Sequence, residues 1–443
     1  MWGMGTSFRP YQPQQTLLLP PSLKEWLPEG HLAYFIAETV DLMDLSAFFK
    51  HYEGDGRRNQ PFHPRMMVKI LLYGYATGVF SSRKLARKMR EDVAFRVLAA
   101  GKFPAHRTIA EFRQRHLHEF QALFVQLVRI AGEAGVVKLG TVAVDGSKVK
   151  ANASKRKAMT YERMSQAEQE LEQEIAKWLE EAARRDAAED ALYGPENSGD
   201  ELPEELQRRE QRLAKIKAAK QRLERRQEQE DRARGRQEGD HRKSPRGGPD
   251  FKREFGEVDK KKQDNFTDPE SRIMKTSTEG FQQSCNTQIA VDEGSQLIVG
   301  TGVTSSAADN GQLIAMVQEV KSVTGAYPER VLADAGYRDE DNFLKLEEER
   351  IDGYIAQGRE GKQHPNPSQG PASQRMHEKL RTPKGRARYR RRKAIVEPVF
   401  GWIKEAVGFR RFSLRSLEKV SGEWDLMCTA INLKHLNATV CWL

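Results

Sequence analysis

Residues 161–236 cannot lie in a sheet, yet strand-like runs stand on both sides of them. In YERMSQAEQELEQEIAKWLEEAARR the apolar positions Met164, Leu171, Ile175 and Trp178 recur at three-, four- and seven-residue spacing. Leu206, Leu213, Ile216 and Leu223 do the same in LQRREQRLAKIKAAKQRLERR. Each segment therefore carries a narrow apolar seam between charged faces, which suits two helices pairing with each other. The turn-like YGPENSGDELPEE between them predicts an antiparallel coiled-coil hairpin, and EGDHRKSPRGGPD a connector after it. Any sheet built from the flanking segments must close across this insertion.

Before the hairpin, TVAVDGSKVK starts with β-branched and small apolar residues and runs into Asp145. Asp-Gly between two β-like runs is a hairpin-turn signal, because both residues accept positive φ. The other reading is a strand buried on both faces that delivers a carboxylate to its C-terminal end, where α/β proteins place ligands. After the hairpin, QQSCNTQIAVD and QLIVGTGVTS predict a β-hairpin, and NGQLIAMVQEVKSVTG a helix capped by Asp309 or Asn310. RVLADAGY then predicts a strand, YRDEDNFLKLEEER a helix and DGYIAQ another strand. Residues 357–385 have loop composition, and RARYRRRKAIVEPVFGWIKEAVGFRRF has helical spacing despite Pro398. The order is that of an α/β domain on a mixed sheet with flanking helices.

The second lone strand, VLADAGY, also ends in an aspartate, Asp334. A third acid, Glu397, lies among apolar residues in KAIVEPVFGWIK, where a carboxylate is costly unless something positive meets it. Three acids on separate elements are what hard divalent cations require, whereas no paired His and Cys ligands point to zinc. A metal cluster accounts for Asp145 better than a turn does.

The chain carries 73 Lys and Arg against 63 Asp and Glu, a net charge of +10 that favours a polyanionic partner. Cys285, Cys428 and Cys441 are scattered, so neither a disulfide framework nor a structural zinc site is expected, and a reducing cytoplasm fits. The proline-broken TLLLPPSL is too short for a signal peptide, and no run of about 18 apolar residues predicts a membrane span. From about residue 30 to 135 the spacing is helical. HPRMMVKILLYGYATGVF can start at Pro64, with Met67, Ile70, Leu71 and Gly74 on one face. SSRKLARKMREDVAFRVLAA can start at Ser81 or Ser82, and HRTIAEFRQRHLHEFQALFVQLVRIAGEAG at Thr108. Outward Arg83, Lys84 and Arg87, with Arg107 and Arg113 further on, fit an all-α DNA-binding module of helix-turn-helix type; a solvated face on an ordinary bundle is the plain alternative.

AVDGSK with Asp145, LADAGY with Asp334 and VEPVFGWIK with Glu397 resemble the DDE motifs of bacterial insertion-sequence transposases, over most of residues 15–435. The resemblance implies an RNase H-like catalytic domain that binds Mg²⁺, with Mn²⁺ as a substitute, through Asp145, Asp334 and Glu397. In the wider superfamily a Tyr, an Arg and a Lys flank the glutamate at fixed spacing. Lys404 stands at the lysine place, while Arg390 and Lys393 fill the other two and Tyr389 and Arg392 are one residue off. These five residues are the expected phosphate contacts beside the metals. The implied organisation is an N-terminal arm over 1–30, a helical DNA-binding domain over 31–138, and a catalytic domain over 139–160 and 251–443, interrupted by the coiled-coil insertion and linker over 161–250. The implied function is cleavage of double-stranded element ends and joining of their 3′ hydroxyls to target DNA. A homo-oligomer assembled on DNA, in the cytoplasm at the bacterial nucleoid and without membrane attachment, is expected. A nuclease of the same fold without strand transfer and an inactive DNA-binding scaffold are the alternatives. The hairpin is expected to be removable from residue 161 to 236 without loss of any sheet strand.

Overall fold

A computed structural model of the chain describes residues 22–52, 60–193, 204–239, 253–276, 280–358 and 370–440. Most of the expected N-terminal arm, the tip of the coiled-coil hairpin, the Leu206 side chain and much of the connector lie outside the described residues. The chain divides into two compact units. One takes the described residues up to Glu119 and from Thr429 on, and the other is Phe120–Cys428. No described helix is long and apolar enough to cross a membrane.

The first unit is helical: α1 (Leu32–Leu42), α2 (Ser46–Lys50), α3 (Pro64–Ala76), α4 (Ser82–Glu91), α5 (Val93–Leu98), α6 (His106–Arg115) and the start of α7 (Leu117–Glu133). Pro64 opens α3 at the first helical position, where a missing N–H is tolerated, and Met67, Ile70, Leu71 and Gly74 are buried as their spacing predicts. α4 buries Leu85 and Met89 and leaves Arg83, Lys84 and Arg87 exposed. Two expected continuous helices are broken. One divides at Asp92, whose carboxylate accepts from the Ala94 and Phe95 N–H groups and so caps α5. The other divides at His116, between α6 and α7.

The second unit is built on a six-stranded mixed sheet. β1 (Thr141–Lys150) is central. A small ribbon pairs β2 (Ala158–Thr160) with β3 (Gln263–Asn265), and β4 (Arg272–Thr276), β5 (Gly280–Asp292), β6 (Ile298–Thr304), β7 (Arg330–Ala333) and β8 (Asp352–Ile355) complete the main sheet. β1 lies antiparallel to β5 on one side and parallel to β7 on the other, with β8 parallel beyond β7. β4 and β6 both pair antiparallel with β5. The predicted hairpin is β5–β6. β7 is apolar and buried from Val331 to Ala333, as a central parallel strand should be.

Between β2 and β3 run α8 (Tyr161–Tyr193) and α9 (Glu204–Ala233), the two arms of the hairpin. Met164, Leu171, Ile216 and Leu223 are buried in its seam, with Leu213 packed against them. Trp178 departs from the expected seam: it is 37% exposed and lies beneath the Arg209 guanidinium, 5.1 Å from the ring centre. The base is more than a spur. Val258 joins the same core, and the Asp264 carboxylate, with no exposed surface, is held by Arg222 at 2.7 Å and Arg226 at 2.6 Å.

The remaining helices are α10 (Leu313–Thr324), α11 (Glu340–Glu348), α12 (Pro371–Arg381), α13 (Pro383–Gly401) and α14 (Leu417–Val440). Of the expected 357–385 loop, residues 371–381 are helix α12. Its start is fixed by a distant group, since Glu340 accepts from the Ala372 and Ser373 N–H groups at 2.7 and 2.9 Å. α13 passes through Pro398, which cannot donate to Ala394; that freed carbonyl accepts from Gln296 Nε2 at 3.1 Å. The helix then widens into a π turn, Trp402–Ala406.

Whole excision of residues 161–236 would strip the partners from Asp264, so the tolerated cut lies further out. Replacing residues 176–210 with a short Gly and Ser linker should leave the melting temperature of the protein little changed. Arg226→Ala should cost about 1.5–3 kcal/mol, the loss of a hydrogen bond to a charged group, since Arg222 still pairs with Asp264. Chemical denaturation of both variants tests this, and equal stability would mean that the base does not hold the fold.

Candidate active site

β1 runs straight through its Asp-Gly pair. Asp145 lies opposite Ile289 and Gly146 opposite Gln288 in one continuous antiparallel ladder, so the dipeptide is not a turn. On the other side Val144 is in register with Ala333, the last residue of β7, so Asp145 and Asp334 each stand one residue beyond that parallel pair, Asp334 just past the strand end. Asp145 Oδ1 accepts from the Gly146 N–H at 2.8 Å, and Oδ2 accepts from Nη1 of the buried Arg392 on α13, also at 2.8 Å. Burial pushes the Asp145 carboxyl up to about 6; Arg392 works against that shift and the like charge of Asp334 adds to it. On Arg392 itself burial opposes the charge, but Asp145, Tyr389 and Asp334 outweigh it and raise its pKa. Asp334 accepts from the Gly336 N–H at 2.8 Å and opens a short 3-10 turn, Ala335–Tyr337.

Another acid joins these two. Asp309 does not cap a helix with its side chain. Its carboxylate accepts from Lys148 Nζ at 3.2 Å to each oxygen, from Asn286 Nδ2 at 2.6 Å and from Gln288 Nε2 at 2.9 Å. Gln288 is a hub: its Oε1 accepts the Tyr337 hydroxyl and its backbone carbonyl accepts the Trp424 indole N–H at 3.1 Å. Tyr337 is completely buried. Burial, then Asp145, Asp309 and Asp334, hold its hydroxyl well above its ordinary pKa. The glycines behind the aspartates follow from this crowding. A Cβ on Gly146 would stand 2.4 Å from Gln288 Nε2 and 2.9 Å from Asp309 Oδ1, and one on Gly336 would stand 2.9 Å from Asp334 Oδ1. Asn286 and Gln288 were the available signal, polar residues on the buried stretch of β5, where side chains of that kind demand partners.

Glu397 is placed differently from its expected apolar surroundings. It is exposed on α13 and has no hydrogen bond or ion pair among the described residues, while its neighbours Ile395, Val396 and Val399 face the core. Lys404, in the π turn, donates to Ser147 Oγ and to the Lys148 carbonyl, and burial followed by Arg410 lowers its pKa. Arg390 and Lys393 are exposed and Tyr389 is half-buried. In the helical unit Arg83, Lys84, Arg87 and Arg107 are exposed. Arg113 departs from the expected DNA contact. It is buried, and its Nη1 donates to the Tyr75 hydroxyl at 3.0 Å and the Phe80 carbonyl at 2.8 Å, which makes it a strut of the helical core.

Two family models match the chain: Transposase domain (DUF772) over residues 21–115 and Transposase DDE domain over residues 250–433. The second match contains Asp309, Asp334 and Glu397 and begins after the insertion, so the strand that carries Asp145 is joined to it by sheet pairing. No curated protein and no solved structure matches the chain.

Two measurements probe this geometry. Gly146→Ala should lower stability by about 1–3 kcal/mol through overpacking, whereas Gly140→Ala, which meets open space, should change it by less than about 0.5 kcal/mol; equal effects would refute the crowding. The folded pKa of Asp145 lies above the ordinary 3.8. The folded chain therefore holds this proton to higher pH, and its contribution to stability is present on the acid side and lost as pH rises through about 6. In the metal-free protein the stability difference between wild type and Asp145→Asn should shift toward the variant over that window, and a pH-independent difference would contradict the assignment.

Proposed function

Because the chain belongs to the insertion-sequence DDE transposases, with their RNase H-like fold in its second unit, we propose that it cuts DNA at the ends of its element and joins the 3′ hydroxyls to a target, using Asp145, Asp334 and Glu397 as site carboxylates. The observation that carries this reading is the placement of Asp145 and Asp334 side by side, each one residue beyond the Val144–Ala333 register pair of β1 and β7, beneath a helix tied down at two points. Arg392 holds that helix to Asp145 and Lys404 holds it to Ser147. Glu397 lies on the stretch between the two ties, exposed and unpaired among the described residues.

The donor set suits a divalent metal. It is all oxygen, and the charge of Asp334 raises the Asp145 pKa, a repulsion that a shared cation would relieve. Asp145 and Asp334 would hold Mg²⁺, or Mn²⁺ in its place, with Glu397 completing the set. When bound, the ion supplies charge neutralisation at the phosphate. The protein's own groups do the rest. Lys404, fixed by Ser147, meets a backbone phosphate oxygen, and Arg390 and Lys393 neutralise the strand entering the site. Tyr337 and Gln288 keep the floor of the site rigid, so that the carboxylates need little reorganisation as charge develops. Residues 31–138 are assigned to recognition of the element end, with Arg83, Lys84, Arg87 and Arg107 as its exposed cations. Residues 139–160 and 251–443 are assigned to catalysis. Cleavage and joining take place in a homo-oligomer assembled on DNA, in the cytoplasm at the nucleoid.

Asp145→Ala, Asp334→Ala and Glu397→Ala should each abolish cleavage while retaining most affinity for end DNA, since backbone contacts supply most of it. Precut ends incubated with wild-type protein, Mg²⁺ and a target plasmid should yield joined products. Cleavage without joining would assign the protein to hydrolysis alone, and full cleavage by one of the variants would remove that residue from the site.

A further inference from the structure

The helical unit holds a cluster of ligating side chains that the DNA chemistry does not use. The chain breaks between α6 and α7 at His116, whose side chain is completely buried against the rings of Phe112, His51 and Phe48, with centroids 4.4, 4.6 and 5.1 Å away. Glu119, in the first turn of α7, brings Oε1 to 2.6 Å from His51 Nε2, while its Oε2 stands 3.8 Å from His116 Nδ1. These last two atoms are buried and neither has a hydrogen-bond partner among the described residues. A buried nitrogen and a buried carboxylate oxygen that face each other unsatisfied require an explanation.

The spacing supplies one. At 3.8 Å the two atoms are too far apart to hydrogen-bond. Yet two ligands of one tetrahedral zinc, with bonds of about 2.1 Å, stand roughly 3.4 Å apart. One ligand atom from each of His51, His116 and Glu119 lies within 4.8 Å of the others, and among the described residues no other group of three His, Cys, Asp or Glu does so. His116 Nε2 is already engaged with the Tyr52 hydroxyl at 3.3 Å. If that nitrogen carries the proton, the Nδ1 lone pair is directed at Glu119, the arrangement in which an outer partner fixes the tautomer of a metal-bound histidine.

We propose that His51, His116 and Glu119 bind one zinc ion in the helical unit, with water in the fourth position. Two imidazoles and a carboxylate select a borderline metal such as zinc over the hard cation suited to the all-oxygen set. The ion joins the end of α2, through His51, to the α6–α7 junction, through His116 and Glu119. It thereby locks the break in the helical segment and satisfies both orphaned atoms. A metal-free His–Glu–His contact within an aromatic nest would leave those atoms unsatisfied.

The experiment uses full-length protein stripped with a chelator, titrated by calorimetry with zinc chloride and followed by visible absorption with cobalt chloride. An Asp334→Asn variant, which keeps the Asp145–Arg392 pair, serves as parent, so that the carboxylate site is weakened. The parent should bind one equivalent of zinc, melt at a higher temperature with zinc present, and give the intense visible band of tetrahedral cobalt. His51→Ala and Glu119→Gln, made in the parent, should each weaken zinc binding by more than the roughly 10–100-fold that loss of an outer partner costs. Both should also lose the cobalt band. His51 is suited to the test because 38% of its side chain is exposed, so its truncation leaves the core intact. Failure of the parent to take up zinc, or zinc affinity and cobalt spectra unchanged in both variants, would overturn the proposal.

Discussion

The ion pair between Asp145 and Arg392 fixes what the rest of the second unit can do. Both groups are largely buried and come from opposite ends of the domain, so neither can be withdrawn without leaving the other charged in a poor solvent. The pair therefore sets where α13 lies on β1, and Lys404 sets its far end. A helix that must also pass Pro398 can satisfy both ties only by recovering the lost backbone bond elsewhere, through Gln296, and by widening into a π turn before Lys404. Charge placement here dictates backbone geometry.

The acids are held in place by a network of polar side chains. Asp309 receives three donors, two of them side chains from one face of β5, and Gln288 links it onward to Tyr337 and to α14 through Trp424. Such a network is costly if any member is unsatisfied and rigid when all are paired. It surrounds Asp145 and Asp334 with fixed dipoles and excludes bulk at Gly146 and Gly336. Small residues after the aspartates thus reflect crowding from a third acid that is remote in sequence.

What could be read from the chain alone was what depends on local pattern. Strands β5 to β8, the hairpin seam, Pro64 at a helix start and Gly325 at a helix end all follow from spacing and backbone chemistry. The Asp-Gly pair misleads in isolation because turn preference is local, whereas β1 is held extended by ladders to β5 and β7. α12 was hidden because its cap, Glu340, comes from another helix. Asp309 resembles a helix cap because it directly precedes one, and only the fold brings Lys148, Asn286 and Gln288 to it. Arg113 has the composition of a surface cation, and its burial depends on Tyr75 and Phe80 from another part of the bundle. The exposure of Glu397 likewise depends on which face of α13 Arg392 commits to the sheet.

The ribbon of β2 and β3 bears on how the chain reaches this state during synthesis. β1 is made long before its partner β5, with more than a hundred residues emerging in between. A flexible connection of that length would leave an apolar central strand with both edges open for many seconds, the condition that invites misassembly. The coiled coil forms from contacts within itself, and its base zips Ala158–Thr160 onto Gln263–Asn265. Once that zip closes, the distance along the chain from Lys150 to β4 and β5 shrinks to a short effective loop, and the entropic cost of joining the sheet falls with it. The insertion thereby acts as a folding splint for the strand it separates from its neighbours.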